Sequence, residues 1–520
     1  TVAILAQVCQ VVTDLSSTAM EGVQTWIEEF WLILQLLIPN FIQIYFTMGF
    51  GRMTLAFVGN YDPVPAHIGG AALGSMYSNV TGMSIGVGAT LAVGTFCAQN
   101  QGRGASSENG IVLKHARRAQ AGAFAFAMAA ALVSKPLLGA LGQPEELLTP
   151  CMLFSVIQAL GLPPAWLTFS ISSALNAQLV VKPPVLISVG NSMLNVLLTW
   201  FFLATGVGYL GVAAAFSISN WTGLLAIASY VRFSGKQDVV WQIPKRPQVA
   251  ISFKTFVATG LPSAASMWVE WWACEILAVF AGLLPSGQYA VAANGILFNT
   301  LAIVYFTYVS TQVSTSVRMG NLVGAKDASR IPVCLAVAVS TSMLLSVAGA
   351  LVLQFYGGFF LQLYTSNERI LSVATAANPG IVLSVPPYAV MMCLLGAMRS
   401  AGLQTWGAVA LFVAFYVCGI PAGVYLGLYG GWDLLGIWMG NVAALTIAAL
   451  AMSIKVCTVD WVTAVKDAMA YENEGSLDRS ISIDAAVCGM TTPVTTPVIG
   501  RGSSGLSGPL LGGESPINRL

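Results

Sequence analysis

The stretch Phe253 to Leu284, FKTFVATGLPSAASMWVEWWACEILAVFAGLL, carries two acidic residues, Glu270 and Glu275, inside an apolar segment long enough to cross a bilayer. At about 1.5 Å per residue, Glu270 lies roughly 25 Å from one end of the segment and about 21 Å from the other. An acidic residue at this depth costs about 2.5 to 3.5 kcal/mol, so by default it marks an ion path, a proton relay or a cation site. A hydrogen-bonded structural glutamate is the alternative for each position.

The composition predicts an all-α polytopic membrane protein. Of the 520 residues, 56% are hydrophobic and 8% are charged, and the mean hydropathy is +0.76. A soluble domain has roughly 25% charged residues. We therefore predict twelve membrane spans, at approximately 31–58, 67–96, 119–141, 150–173, 183–205, 209–231, 254–284, 288–316, 331–357, 371–398, 404–427 and 432–455.

Basic residues are unevenly distributed between the two sides of the predicted membrane. Most fall in the connections after even-numbered spans, whereas Arg52, Lys135 and Arg369 fall on the other side. The positive-inside rule therefore predicts that both termini are cytoplasmic, which requires an even number of spans. Either the plasma membrane or a vacuolar membrane fits this pattern. The connections assigned to the cytoplasm include Lys182, Arg318 and Arg399.

Sparse identities relate the two halves of the chain at a shift of 220 residues, for example Ala72 with Ala292 and Asn79 with Asn299. Two repeats that each have an even number of spans are parallel, and a substrate site is expected at mid-membrane between or within them. The predicted domains are a cytoplasmic lead-in (1–30), a six-helix bundle (31–233), a cytoplasmic linker (234–253), a second six-helix bundle (254–456) and a cytoplasmic tail (457–520). In the tail, 459–471 is predicted as a short amphipathic helix and 472–520 as disordered.

Few residues suit catalysis or metal binding. The nine cysteines include no CxxC pair, so neither a disulfide framework nor a metal site is indicated. The two histidines, His67 and His115, are predicted to lie in loops. An intramembrane acyl or lipid transferase, which normally needs a general base such as histidine, is therefore disfavoured, and no cofactor is expected.

Four stretches of the chain resemble one transporter family in order and spacing. They are LPSAASMWVEWWACEILAVFAGLLP (261–285), SVRMGNLVGA (316–325), TFCAQNQGRGA (95–105) and GAMRSAGLQ (396–404). The first is similar to a seventh helix with an E-W-W-x-x-E core. Across nearly all twelve spans, the chain resembles the eukaryotic branch of the multidrug and toxic compound extrusion (MATE) transporters.

The resemblance implies two six-helix bundles arranged in a V and proton-coupled export of organic cations or other amphiphilic molecules, by a monomer. Glu270 and Glu275 match the two glutamates of the family's helix 7. Tyr305 matches a tyrosine that lines the pocket, and Asn299 stands where the family has Asn or Glu.

Two positions depart from the family's pattern. Tyr388 falls at the acidic position of helix 10, and Thr54 stands where bacterial members carry an aspartate. The usual pair of acids on helices 7 and 10 is therefore incomplete. This departure leaves the proton stoichiometry and the preference for cations open, so organic anions or neutral metabolites are alternative substrates.

A mechanism follows from these residues as a hypothesis. Positions five apart on a helix differ by about 140° in direction, so Glu270 and Glu275 are not expected to form a carboxylate pair. An indole such as that of Trp271 beside a carboxylate suits a lipophilic cation. Desolvation should allow Glu270 to take up a proton near neutral pH, so that protonation from outside releases the substrate. Hydrogen bonds that hold either protonation state are expected from Tyr305, Asn299 and Tyr388.

Two further transport-related classes stay open. A flippase of related fold for a lipid-linked substrate should have a cationic central cavity, for which Arg52 is the only candidate. A relative that has lost transport together with the helix-10 acid is the other.

Overall fold

The computed structural model describes residues 2–49, 58–62, 64–244 and 251–470, and within these ranges the regular structure is helical, without strands. Arg52 and Thr54 lie outside the described residues, as do part of the predicted linker and the predicted disordered tail. The statements below concern the described residues alone.

Twelve membrane-spanning units follow one another along the described chain. Eleven are single helices long and apolar enough to cross a bilayer, and the twelfth is a pair of helices bent by 41°. The prediction of twelve spans is therefore confirmed when the bent pair is counted as one. The units are α1 (Gly22–Gly49), α2 (Pro65–Gly102), α3 (Ser106–Ala140), α4 (Glu145–Ala159 with Leu162–Ala177), α5 (Lys182–Ala204), α6 (Tyr209–Phe233), α7 (Phe253–Ala281), α8 (Gln288–Gly324), α9 (Ile331–Tyr364), α10 (Glu368–Ser400), α11 (Gln404–Tyr429) and α12 (Asp433–Thr458).

The bend in α4 has a covalent cause. Its second segment begins with Pro163 and Pro164 among its first helical positions. A proline ring clashes with the carbonyl four residues earlier and supplies no N–H, so Pro163 cannot continue the helix that ends at Ala159.

Several helices extend beyond the predicted spans. α8 has 37 residues, about 55 Å at 1.5 Å per residue, compared with a hydrocarbon core of about 30 Å. Arg318 therefore lies within α8 and Arg399 in the last turn of α10, and neither is in a connection. The prediction that both histidines lie in loops is also wrong, since His67 is in the first turn of α2 and His115 is a buried residue of α3. Hydropathy detects only the part of a helix that crosses lipid.

The helices pack as two groups of six, in agreement with the predicted fold class. In the first group α2 packs on α3 and α4, α5 packs on α6, and α1 packs on α5. In the second group α10 packs on α8, α9 and α12, and α7 packs on α11. Contacts between the groups are made chiefly by α1 against α8 and α9, and by α2 against α7 and α8.

The two groups approach most closely where α2, α8 and α10 end, at Gly102, Gly324 and Ser400, which we call the basic end. A Cβ atom on Gly102 would lie 2.0 Å from the Asn321 carbonyl oxygen, and one on Gly324 would lie 2.0 Å from that of Gln99. The Gln99 amide also donates a hydrogen bond of 3.0 Å to the Ser400 carbonyl. The backbones of both groups are therefore in direct contact at this end.

A short helix, α13 (Trp461–Ala468), follows α12 within the segment predicted as amphipathic. Asp460 caps its first turn, because the carboxylate accepts the Val462 N–H at 3.1 Å. Val465 and Met469 are part of the main hydrophobic core of the protein, so α13 docks on the helices through one face.

Candidate functional site

A buried carboxyl group is held between α7 and α10. Glu270 lies near the middle of α7, and 3% of its surface is exposed. Tyr388 of α10 is 6% exposed and donates its hydroxyl to Glu270 Oε1. Glu270 and Tyr388 are 118 positions apart in the chain, so only the packing of the second group brings them together.

Aromatic rings from α8 enclose this pair. The Tyr305 ring centroid is 5.4 Å from that of Tyr388, and the Tyr308 centroid is 6.2 Å from it. Tyr308 is 1% exposed, and its hydroxyl has no hydrogen-bond partner. The carboxyl group thus faces a polar hydroxyl within an otherwise aromatic and apolar environment.

Arg399, which was predicted to lie in a connection between spans, is a charged group near this site. It is 4% exposed, in the last turn of α10, and it interacts electrostatically with Glu270. Its Nε has no hydrogen-bond partner. The available signal was its position directly after a predicted span, but that position is shared by arginines that end at the membrane surface.

The remaining predicted residues differ in how much of their surface is exposed. Glu275 is exposed, whereas Glu270 is buried, as the angle of about 140° between their directions requires. Trp271, Asn299 and Tyr305 are half-buried. The described hydrogen bonds include the one expected from Tyr388 to Glu270, and they include none from Asn299 to Glu270.

In the described part of the chain, no three His, Cys, Asp or Glu side chains lie close enough together to form a metal site. What the site can do is exchange one positive charge for another. A buried carboxylate is costly unless a proton or a cation neutralises it, so the two compete for the same oxygen atoms. The Tyr388 hydroxyl can donate to either form of the carboxyl group, because one oxygen always has a free lone pair.

Comparison with known proteins finds the MatE family. The model of the MatE family matches residues 39–201 and 262–425, which together make up more than half of the chain, with one match in each group of helices. Multidrug and toxin extrusion protein 1 of Danio rerio is 26% identical over 438 residues, covering 84% of this chain and 73% of the relative. Protein DETOXIFICATION 16 of Arabidopsis thaliana is 25% identical over 445 residues, covering 83% and 88%.

Solved structures share the fold. The crystal structure of the eukaryotic MATE transporter AtDTX14 aligns with a TM-score of 0.79 at 20% identity, covering 86% of this chain and 100% of that one. A mutant of the Vibrio cholerae MATE transporter VcmN aligns with a TM-score of 0.74 at 18% identity, covering 85% and 100%. These likenesses support the arrangement of twelve helices in two bundles.

Proposed function

Because this chain belongs to the MatE family of multidrug and toxin extrusion transporters, we propose that it exports organic cations in exchange for protons, with Glu270 as the exchange site. The observation that carries this proposal is the buried Glu270 carboxyl group, which accepts a hydrogen bond from the Tyr388 hydroxyl near the middle of α7. A buried carboxyl group is neutralised either by taking up a proton or by pairing with a bound cation.

The proposed cycle has the basic end facing the cytoplasm, as the distribution of basic residues favours. When this end is open, ionised Glu270 binds a cation from the cytoplasm. When it is closed, as by the contacts of Gly102 and Gly324, a proton from the opposite side displaces the substrate. The proton then leaves towards the cytoplasm when the basic end reopens. Both a plasma membrane and a vacuolar membrane suit this direction of transport, and each monomer holds a complete site.

The aromatic side chains suit the apolar part of a lipophilic cation. The rings of Tyr305 and Tyr388 lie 5.4 Å apart beside the carboxyl group, and Trp271 is half-buried on the same helix as Glu270. A cation over such a face gains about 0.5 to 2 kcal/mol.

Tyr388 limits the number of charges in this cycle. Since a neutral tyrosine takes the place of the second acid, Glu270 is the one carboxyl group of the pair. We therefore expect one proton to be exchanged for one monovalent cation, which is electroneutral. Imposing a potassium diffusion potential with valinomycin should leave the uptake rate of such a cation unchanged.

The test is uptake of rhodamine 123, a fluorescent monovalent cation, into proteoliposomes that carry a pH gradient. Glu270→Gln should reduce gradient-driven uptake at least about thirtyfold, as expected when a buried charge loses a partner worth about 2 kcal/mol or more. Glu275→Gln is the matched control on the same helix and should retain most of the uptake, because Glu275 is exposed. Gradient-driven uptake that survives in Glu270→Gln would contradict the assignment.

A further inference from the structure

A groove of about 640 Å³ lies between α5 and α6, which pack against each other in the first group. Its lining comes from these two helices and from the residue directly after α6, so it is separate from the Glu270 site between α7 and α10. Leu186 and Phe233 in this lining are 72% and 88% exposed, on helices apolar enough to cross a bilayer. Exposed apolar side chains of such helices face lipid, so the groove opens to the membrane.

The mouth of the groove is at the basic end. α5 begins there with Lys182, and α6 ends there with Arg232 in its last turn. Lys236 follows, and Asp238 is the acid of the same segment. Lys182 is exposed, and its ammonium group makes no ion pair or hydrogen bond within the described residues. By the positive-inside rule this end faces the cytoplasm, and the cytoplasmic leaflet carries the anionic lipids.

The polarity of the groove changes with depth. Lys182 and Ser234 lie at the mouth, and Ser229 lies five positions before Ser234, about 8 Å deeper at 1.5 Å per residue. Leu186 and Ala226 line the inner part. The headgroup region of one leaflet is about 5 to 8 Å thick, so the polar part matches a headgroup and the apolar part an acyl chain. Neither serine side chain makes a hydrogen bond within the described residues.

The first turn of α5 offers few backbone donors to an anion at the mouth. Pro183 and Pro184 have no N–H, because the nitrogen of each is part of a ring. The Val185 N–H is used by the Val181 carbonyl, at 3.3 Å. Binding of an anion here therefore depends on side chains, and Lys182 is the charged one among those that line the groove.

We propose that this groove, the α5–α6 groove, binds an anionic glycerophospholipid, with its phosphate at Lys182 and one acyl chain along Leu186 and Ala226. The ammonium group donates charge-assisted hydrogen bonds to the phosphate oxygens. The Ser229 hydroxyl lies at the depth of the glycerol esters, whose carbonyls accept hydrogen bonds. A zwitterionic lipid binds less tightly because its headgroup brings a second ammonium group close to Lys182 and Arg232.

The test measures binding of the first lipid molecule to the detergent-purified full chain by native mass spectrometry. Dioleoyl phosphatidylglycerol and dioleoyl phosphatidylcholine have the same acyl chains, but the first carries a net negative charge and the second does not. The wild type should bind the anionic lipid about fivefold more tightly, as expected for one basic residue close to an anionic headgroup. Lys182→Gln should remove this preference and leave binding of phosphatidylcholine unchanged.

Two further variants separate the charge from the groove. Lys254→Gln is the matched control, because Lys254 is exposed in the first turn of α7 at the same end but does not line the groove. It should keep the preference for the anionic lipid. Ala226→Trp fills the inner part of the groove, and because Ala226 is exposed the larger side chain has room. It should weaken binding of both lipids several-fold.

Four results would overturn the proposal. The first is a wild type that binds both lipids equally, a comparison that needs no variant to fold. The second is an equal loss of preference in Lys182→Gln and Lys254→Gln, which would indicate general attraction to the basic end. The third is displacement of phosphatidylglycerol by an equal concentration of glycerol 3-phosphate, which would indicate a site for free anions. The fourth is a dimer that Ala226→Trp abolishes, which would assign the groove to a second copy of the chain.

Discussion

At the scale of single residues, the contact between Tyr388 and Glu270 defines the site. Tyrosine provides a hydrogen-bond donor where related transporters are expected to have a second carboxyl group. A neutral donor stabilises the ionised form of Glu270 without adding a charge, so the site holds one titratable carboxyl group between α7 and α10. Nearby, Tyr308 buries a hydroxyl that has no partner. The two tyrosines therefore allow a matched comparison.

We predict that Tyr388→Phe reduces gradient-driven uptake about tenfold and lowers the free energy of unfolding by about 1.5 to 3 kcal/mol. The substitution leaves the ring in place but removes the hydroxyl that Glu270 accepts, and a hydrogen bond to a charged group is worth about 1.5 to 3 kcal/mol. Transport in proteoliposomes and thermal unfolding in detergent measure the two effects.

Tyr308→Phe is the control for this substitution. Because the Tyr308 hydroxyl is buried and unpaired, its removal should leave stability unchanged or raise it. Equal losses of stability in the two variants would show that the hydrogen bond of the Tyr388 hydroxyl does not stabilise the fold.

Residue patterns were sufficient to identify Glu270 but not its partners. An acid at the centre of an apolar span is visible in one dimension because its cost does not depend on which helix lies opposite. The hydrogen bond from Tyr388 to Glu270 depends on how α10 packs within the second group. The burial of Arg399 depends on the same packing. Mean hydropathy cannot distinguish an arginine that reaches the surface from one that points inward.

At the scale of helices, an ion cluster joins α1 to α8. Glu29 is 0% exposed and accepts two hydrogen bonds of 2.6 Å from Arg318. Arg330, directly before α9, lies 3.1 Å from Glu29 and also bonds the exposed Glu28 at 2.9 Å. α1 belongs to the first group, whereas α8 and α9 belong to the second. The cluster therefore spans the interface that must change if the basic end opens.

We predict that Glu29→Gln lowers the free energy of unfolding by about 1.5 to 3 kcal/mol, because it leaves the partly buried Arg318 charge without its counterion. Glu28→Gln is the matched control one position earlier and should cost at most about 1 kcal/mol, as an exposed ion pair does. The midpoints of thermal unfolding in detergent measure both variants. If Glu29→Gln and Glu28→Gln have the same midpoint of thermal unfolding, the ion cluster does not hold the two groups together.

The segment 1–30 was predicted as an interfacial lead-in. In the structure, the helix that contains most of α1 begins earlier, at Val2, and runs to Ile44. The acidic residues Glu28 and Glu29 could be recognised in the sequence. Their arginine partners could not, since the paired positions are 289 and 302 residues away.

For the whole molecule, the two groups are in backbone contact at the basic end, and in the proposed cycle this contact closes that end. Gly102 of α2 lies against the Asn321 carbonyl oxygen of α8, where an added Cβ would be 2.0 Å away. No carbon atom fits at that distance, so the two backbones would have to separate. The glycine permits a close approach that any other residue would prevent.

We predict that Gly102→Ala shifts the protein towards the state that is open at the basic end. Asn321 is 9% exposed in the wild type. In a cysteine-free background, the thiol introduced by Asn321→Cys should react with a maleimide several-fold faster when Gly102→Ala is added. Gradient-driven uptake should fall because the closed state becomes less accessible. Gly94→Ala, on the same helix with no atom within 4 Å of an added Cβ, should change neither measurement. An unchanged labelling rate in a folded Gly102→Ala protein would contradict this role of the contact.

Hydropathy and motif order along the chain are sufficient to predict a helical membrane transporter of twelve spans with a carboxyl group near the middle of the seventh span. These features depend on local quantities, namely the hydropathy of each segment, the spacing of charges along it and the order of the family's motifs. The tertiary structure adds that Tyr388 donates a hydrogen bond to Glu270, that Arg399 is buried at the end of α10, and that Glu29 and Gly102 contact the opposite group. Each of these depends on which helix faces lie opposite one another, and side chains from distant parts of the chain meet only after the helices have packed.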